Sequence, residues 1–426
     1  MIGHRLTKLA IATGLAACSG ATLANPQSPM STRSFAMAGT GVAIAQPSAA
    51  PGANPAMLAA DHHDWADDFG LMLPSVNARI ADEEETVDQV DDIQGVIDRF
   101  QQLDRSTRPE EAQALAAELL ERLDRFDRDT ARVNAGLGLA LAVPSRSLAF
   151  GVFTNGNLVA TVRGEFDEDD RATLETLVAL DPNNPADLLQ LQNADLEDDL
   201  QSRGRVLAAA VFEAGISVAH ALDLGNGNRL QIGISPKYVE LTTYQYTETV
   251  SGFEDEDFDS DDYQTDKSGF NLDIGAAYAF GDSHQWNLGL MVKNLIPMEL
   301  DSARSKPLLE DTHTLELKPM VTAGIAHRSE YHVVTAELDL TRKDAFGYED
   351  DTQWLALGAE FDAWRYAQLR LGVRHNLAGN DDNDGIAEDT QFTAGLGLNL
   401  LGVHLDLGAL YSDADIGAAL ELGTAF

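Results

Sequence analysis

Three stretches near the end of the chain decide the fold: TQFTAGLGLNL (Thr390–Leu400), VHLDLGALY (Val403–Tyr411) and IGAALELGTAF (Ile416–Phe426). In each, apolar residues alternate with polar residues or glycine at a period of two, which predicts a β-strand with one apolar and one polar face. Very short turns join the stretches, and the last one ends on an aromatic residue. A terminal strand that must itself be paired favours a closed barrel over an open sheet.

Similar strands recur along the chain from Phe69 onward. Most reach the ~9–11 residues that a tilted strand needs to cross a bilayer. Long and short connections alternate, which is typical of outer-membrane barrels with short periplasmic turns and long outer loops. We therefore predict an all-β protein of the bacterial outer membrane: a transmembrane antiparallel β-barrel of about 14 strands, with an N-terminal plug and helical extracellular inserts.

The N-terminus has the composition of an export signal. A basic start is followed by a short apolar stretch and by the small residues Thr22-Leu-Ala24. We expect residues 1–24 to be a signal peptide that is removed after Ala24. Leu15-Ala-Ala-Cys18 also resembles a lipoprotein signal, which would leave a lipidated Cys18, so two forms of processing stay open.

The rest of the chain divides into a plug and a barrel. Residues 25–66 are rich in small residues and proline, which predicts a compact plug, or hatch, inside the barrel, with a flexible linker as the alternative. Residues 67–426 form the predicted barrel, with helical inserts near 84–130 and 167–201. In these inserts leucine and other apolar residues recur at helical spacing. Such stripes suit packing against another helix or the barrel rim, or contact with a hydrophobic ligand.

Short motifs resemble two families. Ser34–Ala43, followed by Asn54-Pro-Ala56, resembles the N-terminal hatch of the outer-membrane long-chain fatty acid transporters (FadL-like). Ser235–Val239, Val292–Pro297, Leu369–Asn376 and the C-terminal hairpin are similar to the plasmid conjugal-transfer TraF family of outer-membrane proteins. The first resemblance implies a barrel with a plug, in which Asn54 and Pro55 are hatch positions, and the passage of hydrophobic molecules. The second implies a link to conjugation.

The charged residues of the chain bear on its partners and on the predicted lumen. The net charge of −40 argues against nucleic acid as a partner. Alternation places several charged side chains on the inward faces of the strands: Asp273, Glu337, Asp339, Glu360, Arg370, Arg374, His404, Asp406 and Glu421. Opposite charges across a lumen form either a polar network that closes it or a selectivity ring.

One acidic loop has part of a calcium-binding pattern. Asn380, Asp382 and Asp384 have the one-three-five spacing, and Gly385 stands at the sixth position. The twelfth position is Gln391 and lacks the bidentate glutamate. We predict weak Ca²⁺ binding here, with a solvated acidic loop as the alternative, and no other cofactor.

The predicted function is passive transport. The sequence lacks the Gly-x-Ser-x-Gly, phosphate-loop and His-Glu-x-x-His patterns, so we predict no enzyme. We expect a channel for small hydrophobic, fatty-acid-like molecules, with outer-membrane lipid, the barrel-assembly machinery (through the C-terminal strand) and the transported ligand as partners. The alternative is a non-transporting surface or assembly protein linked to plasmid conjugation.

Overall fold

The computed structural model describes residues 29–60, 70–82, 86–224, 228–252, 261–281, 283–363, 366–380 and 386–425. The predicted signal peptide and Cys18 lie outside these residues. The strands are β1 (Gly70–Ala81), β2 (Thr130–Val143), β3 (Ala149–Glu165), β4 (Arg203–Asp223), β5 (Arg229–Thr249), β6 (Gln264–Phe280), β7 (Trp286–Lys293), β8 (Met298–Asp301), β9 (Thr314–Leu317), β10 (Met320–Arg328), β11 (His332–Asp339), β12 (Trp354–Ala363), β13 (Ala367–Asn376), β14 (Thr390–Leu400), β15 (Val403–Tyr411) and β16 (Ile416–Ala425). The helices are α1 (Thr32–Ala36), α2 (Ala50–Ala53), α3 (Thr86–Gln102), α4 (Pro109–Phe126), α5 (Glu168–Ala179) and α6 (Pro185–Asn193).

Within the described residues, fourteen strands close into an antiparallel barrel, which confirms the predicted fold. Each strand pairs with its neighbour in the chain, except that β7 pairs with β10 and β1 closes the ring against β16. The intervening β8 and β9 form a separate hairpin. Closure satisfies the backbone groups that an open sheet edge would expose to lipid.

The wall of the barrel is apolar outside and polar inside. On β13, for example, Leu369 and Leu371 face outward and are about half exposed, whereas the intervening Arg370 is 2% exposed. Near the ends of β6 and β7 the rings of Tyr278, Phe280 and Trp286 stack on one another. An outward apolar band with aromatic residues near its edge is typical of the lipid-facing surface of transmembrane barrels. None of the helices in the described ranges has the length and apolar character needed to cross a bilayer.

The two ends of the barrel differ in the length of their connections. Short turns, such as Leu401–Gly402, join the strands at one end, here called the turn end. Longer connections lie at the opposite end, here called the cap end. The β15–β16 turn, Ser412–Asp415, is the exception, because it is short and yet lies at the cap end; a hydrogen bond from Ser412 N to Asp415 O closes it.

Helices α3–α6 form a helical cap with a hydrophobic core of its own. Pro109 and two glutamates start α4, and the Asn184 side chain caps α6 by accepting a hydrogen bond from Ala186 N. Phe100 of α3, Leu119 of α4 and Leu174 of α5 are fully buried in the shared core. The apolar stripes are therefore used mainly in packing helix against helix, and little of them is left to contact a ligand.

The hairpin β8–β9 covers part of the lumen from the cap end. Leu315 and Leu317 of β9 pack against Leu207 and Leu241, which face inward from β4 and β5, and Phe346 joins the same cluster. The apolar patch inside the wall is thus buried by a loop of the chain itself.

Candidate functional site

The described plug, residues 29–60, lies inside the barrel. The Ser31 side chain caps α1 by accepting a hydrogen bond from Ser34 N, and the Asn54 side chain caps the 3₁₀ turn Pro55–Ala59 by accepting one from Ala56 N. Helix α1 contacts β14 and β15, and the 3₁₀ turn contacts β4, β5 and β6. Small residues let the plug backbone approach opposite sides of the wall, so the plug bridges the lumen.

Carboxylates of the wall anchor the plug backbone. Glu337 accepts hydrogen bonds from Gly41 N at 2.9 Å and from Ala43 N at 3.3 Å. Glu421 accepts one from Thr32 N at 2.7 Å. Backbone N–H groups that would otherwise be unsatisfied in a buried plug thus find carboxyl acceptors on the wall.

The hatch positions Asn54 and Pro55 lie against glycines of the wall. Asn54 Nδ2 donates to Val42 O at 2.7 Å and to Ala276 O at 3.3 Å. A Cβ at Gly275 would overlap the Asn54 amide oxygen, and one at Gly233 would overlap the backbone next to Pro55. Glycine is required at both wall positions because the plug approaches so closely.

A network of buried ion pairs joins the plug to the wall near the turn end. Arg33 of the plug binds Glu360 through two contacts of 2.8 Å. Arg370 donates to Glu360 at 2.7 Å and to Asp406 at 2.6 Å. Arg33 was not among the predicted site residues, although a basic residue among small apolar ones must find an anionic partner once it is buried.

A second set of ion pairs lies on β4, β5 and β6. Lys237 Nζ is 2.6 Å from Glu213 and 2.8 Å from Asp273, and Asp273 also accepts a hydrogen bond from Asn294 N at 2.8 Å. Neither Lys237 nor Glu213 was among the predicted lumen residues. Alternation along their strands is the signal that could have found them.

A third set closes the lumen at the cap end. Arg132 is 2.6 Å from both Glu388 and Asp415, and Arg79 contacts the same two carboxylates. All four side chains are buried. This cluster could not be predicted from the strand pattern, because two of its members lie on connections where no period shows which way a side chain points.

The other predicted lumen residues also lie inside the barrel. Asp339 accepts a hydrogen bond from Thr322 Oγ1 at 2.7 Å. Arg374 donates to Gln391 at 2.7 Å, and its guanidinium lies 4.3 Å from the centre of the Trp354 ring. His404 is near Glu421. The structure therefore distributes the predicted set over several separate networks rather than one ring.

A chamber of about 420 Å³ remains between the plug and the cap-end loops. Its apolar lining includes Phe35, Val159, Leu315, Phe346, Trp354 and Leu410, and its charged lining consists of Arg79, Lys318, Lys343 and Arg374 together with Glu316, Asp344, Glu349, Asp350 and Glu388. A smaller cavity of about 130 Å³, next to the plug, shares Lys343, Trp354 and Arg374 with it. Burial raises the pKa of the Glu349 carboxyl to about 7. The chamber can hold a small molecule with an apolar body and a polar end.

The predicted calcium loop is only partly described. Asn380 exchanges hydrogen bonds with the backbone of Asp351, at 3.1 and 3.0 Å, and so ties two cap-end loops together. Asp382 and Asp384 lie outside the described residues. Calcium binding at this loop stays a prediction.

Similarity to known families and structures bears on both resemblances. The family model described as "F plasmid transfer operon, TraF, protein" matches residues 51–339. The chain belongs to this TraF family. The predicted resemblance is therefore confirmed. No curated protein sequence matches the TraF-family chain.

The TraF-family chain is similar in fold to several solved outer-membrane channels. The toluene transporter TbuX of Ralstonia pickettii superposes with a TM-score of 0.52 at 13% identity, covering 93% of this chain and 98% of that one. A FadL homologue of Pseudomonas aeruginosa gives a TM-score of 0.50 at 10% identity, covering 95% and 99%. The CymD monoaromatic hydrocarbon channel gives 0.51 at 12% identity, covering 93% and 97%. At these identities the likeness shows the fold, which is that of the FadL-like outer-membrane barrels.

Proposed function

We propose that this TraF-family chain is a passive channel in the bacterial outer membrane that admits small hydrophobic molecules, without catalysing a reaction. The observation that carries the proposal is a chamber above a non-covalently held plug, inside a barrel whose outer face is apolar. Proteins of the same fold are named as a toluene transporter and a monoaromatic hydrocarbon channel, which supports this substrate class.

The chamber offers contacts suited to such a molecule. Phe346 and Trp354 present aromatic surface, and Lys343 and Arg374 present cationic groups beside it. A hydrocarbon would use the aromatic contacts, and a fatty acid would also place its carboxylate near the cations. The substrate moves down its own gradient, so the chain needs no energy source.

Passage requires the plug to move, because the plug and its ion pairs fill the lumen below the chamber. The plug is held by hydrogen bonds and ion pairs, which break and re-form without chemical change. We therefore expect transport to depend on a rearrangement of residues 29–60 relative to the wall.

A disulfide between plug and wall tests this dependence. A Cβ at Gly70 would lie 3.3 Å from the Cβ of Ser48, close to the separation that disulfides require. We expect Ser48→Cys/Gly70→Cys, expressed in a deletion strain, to take up labelled toluene and oleate at the rate of the deletion strain when oxidised. Reduction with dithiothreitol should restore uptake.

A matched control lies within the plug. A Cβ at Gly41 would also lie 3.3 Å from the Cβ of Ala53, so Gly41→Cys/Ala53→Cys forms a bridge of the same length without tying the plug to the wall. This variant should keep its uptake in both redox states. Normal uptake by oxidised Ser48→Cys/Gly70→Cys, with the disulfide verified by mass spectrometry, would refute the proposed movement of the plug.

A second candidate function rests on the family description, which names a plasmid transfer operon. The helical cap, with its own core, could serve as a docking element for a partner on the cell surface. Mating assays with the deletion strain as donor separate the two functions. A lower transfer frequency with unchanged uptake of hydrophobic compounds would favour the role in conjugation over the role in transport.

The proposed location is tested by fractionation. We expect the chain in the outer-membrane fraction, with a different gel mobility before and after boiling, since transmembrane barrels resist detergent until heated. Removal of the C-terminal strand β16 should prevent insertion, because β1 would then lack its partner and because the assembly machinery is proposed to recognise that strand. A chain recovered from the soluble fraction would contradict the proposal.

A further inference from the structure

A histidine and two carboxylates converge below the plug, apart from the chamber. His404 and Asp406 occupy alternate inward positions on β15, and Glu421 on β16 stands directly opposite Asp406. One ligand atom from each residue lies within 4.8 Å of the others. The three residues are 8%, 3% and 3% exposed, respectively. The site is thus a buried cluster of one nitrogen donor and two carboxylate donors on two adjacent strands.

The Nε2 atom of the His404 imidazole is buried near this group and has no hydrogen-bond partner among the described residues. Its Nε2 lies 3.8 Å from Glu421 Oε1, which is too long for a hydrogen bond. Two bonds of about 2.0–2.2 Å to a shared metal ion would span about this distance. A Cβ at Gly423, the residue opposite His404, would overlap the ring, so glycine there leaves the space that the imidazole occupies.

The surrounding charges favour a cation. The buried network contains three carboxylates, those of Glu360, Asp406 and Glu421, and two guanidinium groups, those of Arg33 and Arg370. With a neutral imidazole, one negative charge is left without a compensating positive charge. Burying an uncompensated charge is strongly unfavourable, so the group favours a bound cation.

We propose that His404 Nε2, Asp406 and Glu421 bind a divalent transition-metal ion of the Zn²⁺ class. One imidazole nitrogen and two carboxylates suit Zn²⁺ and its neighbours in the transition series, whereas Ca²⁺ and Mg²⁺ prefer oxygen ligands alone. Because Glu421 also accepts the Thr32 N–H of the plug, the ion would fix the side chain that anchors α1. Metal binding at this site would therefore be coupled to the docking of the plug inside the barrel.

Metal titration of the full chain in detergent tests the site. After stripping with EDTA, we expect the purified protein to bind one Co²⁺ per chain, with visible absorption bands, and Zn²⁺ to displace the Co²⁺. The variant His404→Gln should bind Co²⁺ at least about tenfold more weakly. The matched control is His375→Gln, because His375 is an exposed histidine 3.0 Å from Asp389, and it should bind like the wild type.

A second variant keeps the test decisive if His404→Gln does not fold. Glu421→Gln preserves the shape of the side chain and removes its charge, and it should also weaken Co²⁺ binding. Heat-modifiable gel mobility checks that each variant forms the barrel. Absence of stoichiometric binding by the wild type would overturn the proposal. Equal binding by a folded His404→Gln or Glu421→Gln would overturn it as well.

Discussion

Replacing Arg33 with methionine should loosen the plug without unfolding the barrel. Arg33 makes two contacts of 2.8 Å with Glu360 and donates to Ile44 O at 2.8 Å, with its side chain 8% exposed. Removing one partner of a buried ion pair destabilises by about 3–5 kcal/mol. Because Arg370 still pairs with Glu360, we expect the lower end of this range, about 3 kcal/mol, which raises the undocked population about a hundredfold.

Hydrogen–deuterium exchange measures this effect directly. Amides of α1 and of the following turn should exchange about a hundredfold faster in Arg33→Met, because each exchanges through the undocked state. Amides of β12 and β13 should keep their protection, since the wall ladders are unchanged. The same variant should raise the conductance of single channels in planar bilayers.

The control for Arg33→Met is a surface ion pair. Arg108 lies 3.1 Å from Glu111 with its side chain 55% exposed, and pairs of this kind contribute little to stability. Arg108→Gln should leave plug exchange unaltered. If the plug amides of Arg33→Met exchange at the wild-type rate, the Arg33–Glu360 ion pair does not hold the plug in the barrel.

Three further predictions test the plug, a cap-end loop and the wall. Gly275→Ala should displace the plug, since the added Cβ would overlap Asn54 Oδ1, and the measurable result is a higher channel conductance with a barrel that remains heat-modifiable. Glu349 has a folded-state pKa of about 7 against an ordinary 4.5, so its contribution to loop stability is fully present below about pH 4.5 and is lost as the pH rises through about 7. Amide exchange in its loop, corrected for the intrinsic rate, should therefore accelerate from pH 5 to pH 8 in the wild type and stay flat in Glu349→Gln; equal slopes would contradict the assignment. Leu371→Arg places a charge on the apolar outer face and should destabilise the barrel by about 2–4 kcal/mol, lowering the folded fraction in liposomes, whereas Leu401→Arg in a fully exposed turn should change it by about 0–1 kcal/mol.

Local periodicity predicts the wall of this protein well. A period of two in β13–β16 is enough to separate lipid-facing residues such as Leu371 from inward ones such as Arg370, because neighbouring strands share the same rule. The same rule says which side chains enter the lumen, but not which ones meet there. Strand β9 is too short for any period to emerge, so the hairpin inside the lumen could not be predicted.

Long-range pairing is what the sequence leaves undetermined. Arg33 and Glu360 are separated by most of the chain, and their contact depends on how the plug sits relative to the register of the strands. The helical stripes show a related limit: a stripe that includes Leu119 predicts a buried face, but the period is the same whether the partner is a helix, the rim or a ligand. Only the folded chain shows that the partner is another helix.

The helical cap also constrains the order in which the protein can assemble. Its core draws on the β1–β2 connection, the β3–β4 connection and Val250 from the β5–β6 connection. Helices α3 and α4 can pack on each other within the β1–β2 connection, but the shared core is complete only after all three connections have reached the same side of the bilayer. Once they meet, withdrawing the connection that carries α3 and α4, or the one that carries α5 and α6, would expose much of the cluster to water. We therefore expect the completed cap to oppose withdrawal of the strands on either side of its connections.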